Sequence, residues 1–425
     1  MTANNAGSGN RFTDGDVPAV GLPTSAPPAV AVVQGISGID RLDWDACAAG
    51  HGPFLSHACL KATEDSGLAG PAAGWYPVHL MVREASGRVV GTAPLYLRDR
   101  STDEHWPDQV WVDGYQAAGG RYFPKLVSAV PYAPVAGPRL LLRQGAPPGT
   151  ADALIGAMRT LAHRDGLSSI HVSFPDETDR CRFEAAGWLT RHAVDYEWRN
   201  AGYRNFGDFA ASLTKHRRDT LLWERRKVLA SGVRFRDVPG SRVGESDVVL
   251  FLGLFDDLHA RRGTSQPLTA DFVHRLCAAL GDAVTLTFAE AGGVAVGTLL
   301  TVEGDGRLYV RNWGARKEAR LVHFETCYCR TVERAIALGL DAVDGGRGGP
   351  HKLARGFRPK LTHACHWFRH TNMHRTVAEG LALHNARILA ALALEQARSP
   401  FRQPAGGIGD DARLHRKAVQ ATLPA

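Results

Sequence analysis

Cysteine is scarce in this sequence: seven residues in 425, with no CxxC pair and no regular spacing. This pattern excludes a small disulfide-stapled fold and indicates free thiols in a reducing compartment. The N-terminus is polar and lacks the basic-then-apolar order of a secretory signal. We therefore expect a cytoplasmic protein.

Long apolar runs are also lacking, since none approaches the ~18–20 residues that cross a bilayer. By that criterion we expect no integral membrane protein. Hydrophobic residues still make up 44% of the chain, enough for a substantial core. Residues 1–33 and 399–425 have no apolar period and are predicted to be flexible tails.

An internal repeat organises the region between the tails. The nine residues from Glu84 to Thr92 and from Glu290 to Thr298 agree at six positions, and each lies between β-favouring runs, as in a β-hairpin. In both halves a helical stretch then ends in Gly-Leu, at Gly166 and Gly339, before a buried-looking strand. A short helix ending in a Gly-aromatic pair follows in both. Matched landmarks in the same order predict two copies of one domain.

The predicted fold is therefore a mixed α+β protein of two tandem domains, each with a mixed central sheet flanked by helices. We place them at residues 34–200 and 201–398. The first copy is about 33 residues longer, and its extra segment, roughly Ser101 to Leu140, is rich in aromatic residues. Loops of this length often serve binding, so we expect it to form an ordered pocket wall. Its candidate binding residues are Tyr115, Arg121, Tyr122 and Lys125.

The net charge of +7 is concentrated in two segments of the second copy. The stretch Ser212–Ser231 has helical amphipathicity and clusters the cations Lys215, Arg217, Arg218, Arg225, Arg226 and Lys227. Such a helix is either a solvated face or a surface for phosphates of tRNA, of a nucleotide carrier or of a membrane.

The second segment, Gly345–Arg375, carries seven Lys or Arg and no acid. Its glycines let backbone amides approach an anion closely, and a helix start follows. It matches neither the Walker nor the dinucleotide pattern, so we infer neither NTP hydrolysis nor NAD. The candidate anion-binding residues are Asp344, Arg347, His351, Lys352, Arg355 and Phe357.

Two further groups bear on chemistry. His363, Cys365, His366, His370 and His374 raise the question of zinc, but a strand would send these side chains to different faces, and we expect no metal site. Glu325, next to His323 on a predicted helix, is a candidate general base if burial raises its pKa. The alternative is that Glu325 lies in the first helical turn and complements the helix dipole.

These residues resemble a known family. Its motifs here are Phe54-Leu-Ser-His57, Gly74-Trp75, Gly119-Gly-Arg-Tyr-Phe-Pro-Lys125, Pro131–Arg139, Trp313-Gly314, His323–Tyr328 and Gly349–Phe357. They are similar to the bacterial peptidoglycan biosynthesis/recognition proteins, relatives of the Fem-type transferases in the GNAT acyltransferase superfamily. The resemblance covers about residues 45–395. Pro350 and Asn312 depart from the usual Glu and Tyr, and Asp195-Tyr-Glu197-Trp198 replaces a more usual Gln-aromatic-His-Trp.

The resemblance implies tandem GNAT-like domains and transfer of an aminoacyl group from aminoacyl-tRNA to an amine, of a peptidoglycan precursor or a specialised metabolite. It also implies that Lys352 meets an acceptor phosphate or the reacting carbonyl. We predict Glu325, His323 and Lys352 as catalytic residues, with no permanently bound cofactor. The helical coiled-coil arm usual in Fem-type proteins is not evident, so tRNA contact would rest on the basic helix. Two alternatives remain open: an acyl-CoA or carrier-protein thioester as donor, and a non-catalytic binder of an anionic polymer or lipid headgroup.

Overall fold

The computed structural model describes residues 29–101, 105–264, 267–316 and 320–402. The elements of the first half are β1 (Ala29–Val33), α1 (Arg41–Cys47), α2 (His57–Asp65), β2 (Trp75–Pro77), β3 (His79–Arg83), β4 (Val89–Ala93), β5 (Tyr96–Arg98), α3 (Gln109–Ala117), β6 (Lys125–Ser128), β7 (Leu141–Leu142), α4 (Thr150–Arg164), β8 (Ser169–Ser173), α5 (Glu177–Ala185) and β9 (Leu189–Arg199).

The second half shares the hairpin, the helix after it and the final strand–helix–strand order, but it has additional helices at both ends and fewer elements between the hairpin and the following helix. Its elements are α6 (Phe206–Ser212), α7 (Lys215–Ala230), β10 (Arg234–Pro239), α8 (Glu245–Arg262), α9 (Ala270–Leu280), β11 (Val284–Ala291), β12 (Val294–Gly304), β13 (Arg307–Ala315), α10 (Arg320–Phe324), a π-helical turn (Glu325–Cys329), α11 (Arg330–Ala337), β14 (Ala342–Arg347), α12 (Pro350–Leu353), β15 (Arg358–Phe368) and α13 (Thr371–Ala397).

Both predicted hairpins are present, as β3–β4 and β11–β12. Gly166 and Gly339 each follow a helix with φ of 66°, the left-handed conformation that ends a helix readily. The aromatic segment of the first copy is not a plain loop, because it contains α3 and β6.

Both predicted tails, residues 1–33 and 399–425, include residues that the structure places in the fold. Ala29–Val33 were placed in the N-terminal tail, yet they form β1, which pairs antiparallel with β3. At the other end, Phe401 bridges to Leu213 and the Arg402 N–H donates to the Ser212 carbonyl. Residues 1–28 and 403–425 lie outside the described residues.

Within the part of the chain that the structure describes, one helix qualifies as a membrane span by length and composition. α13 has 27 residues and an 18-residue window of mean hydropathy 1.3, of which 17% is buried. The expectation drawn from run length overlooked it because polar residues interrupt its apolar stretch. A single helix of this kind is weak evidence for a membrane, and α13 is also docked on β9, where Asn385 bonds to backbone groups of Thr190 and His192.

The two halves exchange strands. Among the described residues one sheet has eleven strands, in the order β10-β11-β12-β13-β14-β9-β15-β8-β6-β5-β2, and a smaller one has the order β1-β3-β4-β7. Thus β9 of the first half pairs with β14 of the second, and β15 of the second pairs with β8 of the first.

The register between β9 and β15 is self-complementary. Leu189, the first residue of β9, pairs with His366, and Arg358, the first residue of β15, pairs with Glu197. Each partner is the ninth residue of its strand, so a local two-fold axis relates the repeats through this pair. The halves also share a core that includes Trp44 and Phe54 of the first with Phe251 of the second. The tandem domains are therefore fused into one framework.

Two histidine pairs cross the shared strands. His171 Nδ1 lies 2.8 Å from His366 Nδ1, and His192 Nδ1 lies 3.0 Å from His363 Nδ1. Burial holds the pKa of both His171 and His366 well below the ordinary value. At least one ring of each pair must be neutral, since a hydrogen bond between imidazoles needs a free lone pair.

We expect the free energy of unfolding to fall as pH drops below about 6.5, the ordinary histidine pKa. A histidine with a depressed folded-state pKa binds more protons in the unfolded chain, so its contribution is present above that pH and is lost on acidification. Below about pH 6.5, each such histidine lowers the free energy of unfolding by up to about 1.4 kcal/mol per pH unit. Urea unfolding at several pH values should show a shallower pH dependence for His171→Phe/His366→Leu than for the wild type. An identical slope in both proteins contradicts the assignment.

Candidate active site

A wedge opens between two parallel strands of the second half. Residues 307–309 of β13 pair with residues 342–344 of β14, although β13 continues to Ala315 and β14 to Arg347. The two strands separate after these pairs, and we call the gap between them the wedge. Its β13 side contains a bulge, because Thr301 pairs with Val310 and Leu300 with Asn312, which leaves Arg311 as the extra residue. Bulges end pairing and redirect side chains, often beside active sites.

Lys352 holds the glycine turn at the end of β14. Its ammonium donates to the carbonyls of Gly345, Gly346 and Arg347, the last at 2.6 Å. The side chain is only 6% exposed, and burial lowers its pKa to about 8. Lys352 therefore braces the turn rather than pointing freely at a substrate phosphate, and its predicted direct contact with substrate gives way to a positioning role.

His323 and His351 meet through a tyrosine. The Tyr328 hydroxyl lies 3.1 Å from His351 Nε2 and 3.5 Å from His323 Nε2, and Cys327 Sγ lies 3.4 Å from His323 Nδ1. The His323 ring also packs against Trp313 of β13, with centroids 5.0 Å apart. The network thus connects the β13 side of the wedge to α12.

The two imidazoles differ in access to solvent. Burial, with repulsion from His351, lowers the pKa of His323 to about 3, which makes it a weak base. His351 is exposed, and burial of part of the ring together with nearby Lys352 and Arg355 lowers its pKa below 6.5. His351 is thus a neutral, accessible base at neutral pH.

Glu325 lies on another side of the same helix. Its Oε1 is 3.2 Å from Arg225 Nε of α7, its Oε2 is buried without a hydrogen-bond partner among the described residues, and burial raises its pKa. The helix begins at Arg320, so Glu325 sits in the π-helical turn and not in a first turn. Among the described residues its contacts do not include His323, His351 or Lys352. Burial raises its pKa as the general-base hypothesis requires, and that role stays a prediction.

The basic helix α7 supports this region from outside. Glu224 accepts two hydrogen bonds from Arg355, at 2.8 and 2.6 Å, while Arg225 pairs with Glu325 and Glu333. Arg355 also stacks 3.5 Å from the Phe324 ring centroid. Arg225 and Arg355 are consequently structural cations, which corrects their assignment to tRNA and anion binding.

The remaining cations of α7 stay at its surface. Lys215, Arg217, Arg226 and Lys227 are exposed, Arg218 is half-buried beside Asp219, and the aromatic Trp223 among them is 49% exposed.

Three other predicted binding residues have internal partners. Asp344 accepts from the Gly346 N–H at 2.9 Å and from Lys360 at 3.3 Å. Phe357 is fully buried in the core of the second half and can bind no anion. Arg347 pairs with Asp195 at 3.3 Å but remains 39% exposed, so it can still meet a ligand.

The aromatic segment forms a separate buried centre. Lys125 donates to Asp108 Oδ2 at 2.6 Å, and Tyr122 donates to the same oxygen at 2.7 Å. The Tyr115 hydroxyl donates to the Ser168 carbonyl, and only Arg121 is exposed. The buried three cannot bind an anion as predicted, because their polar atoms are engaged in the fold. The prediction of a pocket wall is confirmed, since Trp111 and Tyr115 line a 930 Å³ cavity between α3 and α13.

Sequence reasoning missed Arg311. This residue is half-buried and lines a 250 Å³ cavity between the halves. A bulge depends on the register between two strands, which local patterning does not encode, so no sequence signal identified it.

Comparisons with known proteins agree with this architecture. A model of the FemAB-like family, described as peptidoglycan biosynthesis/recognition, matches residues 35–403. The solved structure of FemX is 10% identical, with 80% of this chain and 98% of that chain covered at a TM-score of 0.50, so the two share a fold. No curated protein matches the chain.

Two further structures are similar at lower scores. One is the C-terminal domain of a putative lysylphosphatidylglycerol synthetase from Agrobacterium fabrum (8% identity, 78% and 91% coverage, TM-score 0.49). The other is a tandem GNAT protein from the clavulanic acid biosynthesis pathway (15% identity, 80% and 98% coverage, TM-score 0.44). The family match spans most of the 425 residues. The chain therefore belongs to the FemAB-like family of peptidoglycan biosynthesis/recognition proteins and is an acyltransferase.

Proposed function

We propose that the protein transfers an aminoacyl group from aminoacyl-tRNA to an amine, in the cytoplasm. The observation that carries this proposal is the double role of α7, which presents exposed cations outward and ion-pairs with the wedge region inward. The acceptor is the amine of a peptidoglycan precursor or a specialised metabolite.

The outer face of α7 suits a nucleic acid. Lys215, Arg226 and Lys227 offer positive charge to phosphates, and Trp223 offers a stacking surface for an unpaired base. Single-stranded ends of RNA are bound in this way by stacking and phosphate contacts together.

The inner face of α7 supports the proposal because it contacts residues around the wedge. Glu224 bonds Arg355, three residues from Lys352, and Arg225 bonds Glu325 in the π-helical turn. A tRNA held on the outer face would therefore have its acceptor end within reach of the wedge. This proximity favours aminoacyl-tRNA as the donor over a donor whose binding does not need an extended basic surface.

The reaction forms a C–N bond and breaks an ester C–O bond. An uncharged amine attacks the carbonyl, His351 accepts the proton that the amine loses, and the same proton passes from His351 to the tRNA oxygen as that oxygen leaves. Beyond the last pair of β13 and β14, backbone N–H groups no longer have partners between these two strands and can donate to the developing oxyanion. Lys352 keeps the turn at Gly345–Arg347 in place, which fixes the geometry of attack.

The direct test mixes purified protein with a complete set of charged tRNAs and candidate amines and follows products by mass spectrometry. An aminoacyl amide supports the proposal. Absence of transfer from every charged tRNA overturns it, and stabilisation against heat by CoA but not by tRNA would assign an acyl-CoA donor instead.

Charge reversal on α7 gives a quantitative prediction. The variant Lys215→Glu/Arg226→Glu/Lys227→Glu should raise KM for aminoacyl-tRNA about tenfold or more at 0.1 M salt with little change in kcat, because it removes phosphate contacts that are not in the wedge. The matched control Arg41→Glu/Lys61→Glu/Arg164→Glu makes the same charge change on exposed residues of the first half. Equal effects in the two triple variants would show that only total charge matters.

A further inference from the structure

A second cavity lies between the two halves. Its 250 Å³ volume is bounded by Phe54 and Val130 of the first half and by Leu268, Phe272 and Leu300 of the second. The volume is below the ~300–1,000 Å³ typical of sites for drug-sized ligands, which suits a molecule of amino-acid size. Most of the wall is apolar, so its few polar groups decide what is bound.

Arg311 supplies a cation whose acidic neighbours, Asp344 and Asp195, attract it from beyond ion-pair distance. Among the described residues the guanidinium makes no ion pair, and its one hydrogen bond runs from Nη2 to the Tyr132 carbonyl at 3.4 Å. The bulge explains this position, because the extra residue is released from strand alternation and both Arg311 and Asn312 line the cavity. A guanidinium with unused donors in a partly buried site binds carboxylate well.

His105 supplies a lone pair in the same cavity. Its Nε2 is buried and has no hydrogen-bond partner among the described residues, while the ring donates to the Tyr132 backbone. Burial, with repulsion from Arg311 and Arg347, lowers its pKa to about 4, so the ring is neutral. With the other nitrogen donating, Nε2 is left as an acceptor for an N–H group.

We propose that this cavity binds an apolar aminoacyl carboxylate, with the carboxylate on Arg311, the N–H group on His105 and the side chain against Phe272 and Leu268. The ligand is a free amino acid or the C-terminal residue of a peptide, which share this chemistry. A peptide bound by its C-terminal residue keeps its attacking amine away from His105 and can be the acceptor, a role that rests on the proposed aminoacyl transfer. A free amino acid has its only amine on His105, so it is bound here without being the amine that His351 deprotonates. The binding itself does not rest on that transfer, and it is measured without tRNA.

The test is calorimetry on the full chain with four probes. These are L-phenylalanine, glycyl-L-phenylalanine, L-phenylalaninamide, which lacks the carboxylate, and 3-phenylpropanoate, which lacks the N–H group. For whichever of the first two binds, we expect about tenfold or more weaker binding of the amide and a smaller loss for 3-phenylpropanoate. Preference for glycyl-L-phenylalanine identifies a peptide terminus, and preference for L-phenylalanine identifies a free amino acid.

Variants assign the effect to residues. Arg311→Gln should abolish the discrimination between acid and amide, Arg311→Lys should keep part of it, and Arg234→Gln on the exposed edge strand β10 should leave it intact. His105→Phe should remove the discrimination against 3-phenylpropanoate alone. If the wild type binds the carboxylate probe and L-phenylalaninamide equally well, the proposed site is wrong, and no variant is needed to show it. The proposal is also wrong if none of the probes binds. Binding without transfer from any tRNA would retain the site and remove the proposed reaction.

Discussion

Replacing His351 with alanine should lower kcat by about 10²–10⁴-fold, the range expected for loss of a general base. His351 is the exposed imidazole of the His323–Tyr328–His351 network, and its lowered pKa leaves it neutral at pH 7. The fold should be unaffected because the side chain is at the surface. Single-turnover aminoacyl transfer, with unfolding curves measured alongside, checks both statements.

The pH profile gives an independent criterion. The neutral form of His351 is the active one, so kcat/KM should decline as pH falls below about 6.5 through the lowered pKa and should level off above it. His351→Ala should lose this acidic limb, and added imidazole should restore part of the rate because the site is open to solvent. His163→Ala, at an exposed histidine of α4, is the matched control.

Tyr328→Phe separates chemistry from orientation. The Tyr328 hydroxyl bonds His351 without being exposed itself, since Tyr328 is 4% accessible. Its removal should cost much less than removal of the imidazole. A His351→Ala enzyme with wild-type kcat would return the proton transfer to another group, and the closest neutral candidate is then His323.

Patterns within one segment were readable from the sequence because they depend on neighbours in the chain. The hairpin turns at Glu84–Thr92 and Glu290–Thr298 and the helix ends at Gly166 and Gly339 follow from local conformational preference. These local features were enough to predict the repeat, and the repeat was enough to predict the fold class.

The exchange of β9 and β15 was not readable. Either strand satisfies the same alternation beside β8 or β14, so only tertiary packing decides which one it joins. Functional assignments failed for a related reason. Arg225 faces inward because Glu325 and Glu333, more than ninety residues away, lie opposite it. Counting charges in the sequence therefore identified α7 as a basic helix but could not tell which of its cations are exposed.

Replacing Lys352 with methionine should lower kcat/KM by about 100-fold or more, chiefly through kcat. The variant keeps the apolar stem but leaves the carbonyls of Gly345, Gly346 and Arg347 without their shared donor. The turn is built for this contact: a Cβ at Gly348 would lie 2.6 Å from Lys352 Nζ. Gly348→Ala should therefore cause a similar, smaller loss by displacing the ammonium, whereas Gly253→Ala, where a Cβ would meet no atom within 4 Å, is the control.

The pH dependence distinguishes this positioning role from a purely structural one. With a pKa of about 8, Lys352 loses a donor proton above that pH, so kcat/KM should fall on an alkaline limb. The contribution of Lys352 to the free energy of unfolding must change in the opposite direction and rise with pH. The unfolded chain, with an ordinary lysine pKa near 10.4, binds more protons between pH 8 and that value, so this residue makes the folded state more stable as pH rises. A decline of kcat/KM above pH 8 without a loss of stability therefore indicates that the turn at Gly345–Arg347 has lost its donor. An alkaline limb that persists in Lys352→Met would contradict the assignment.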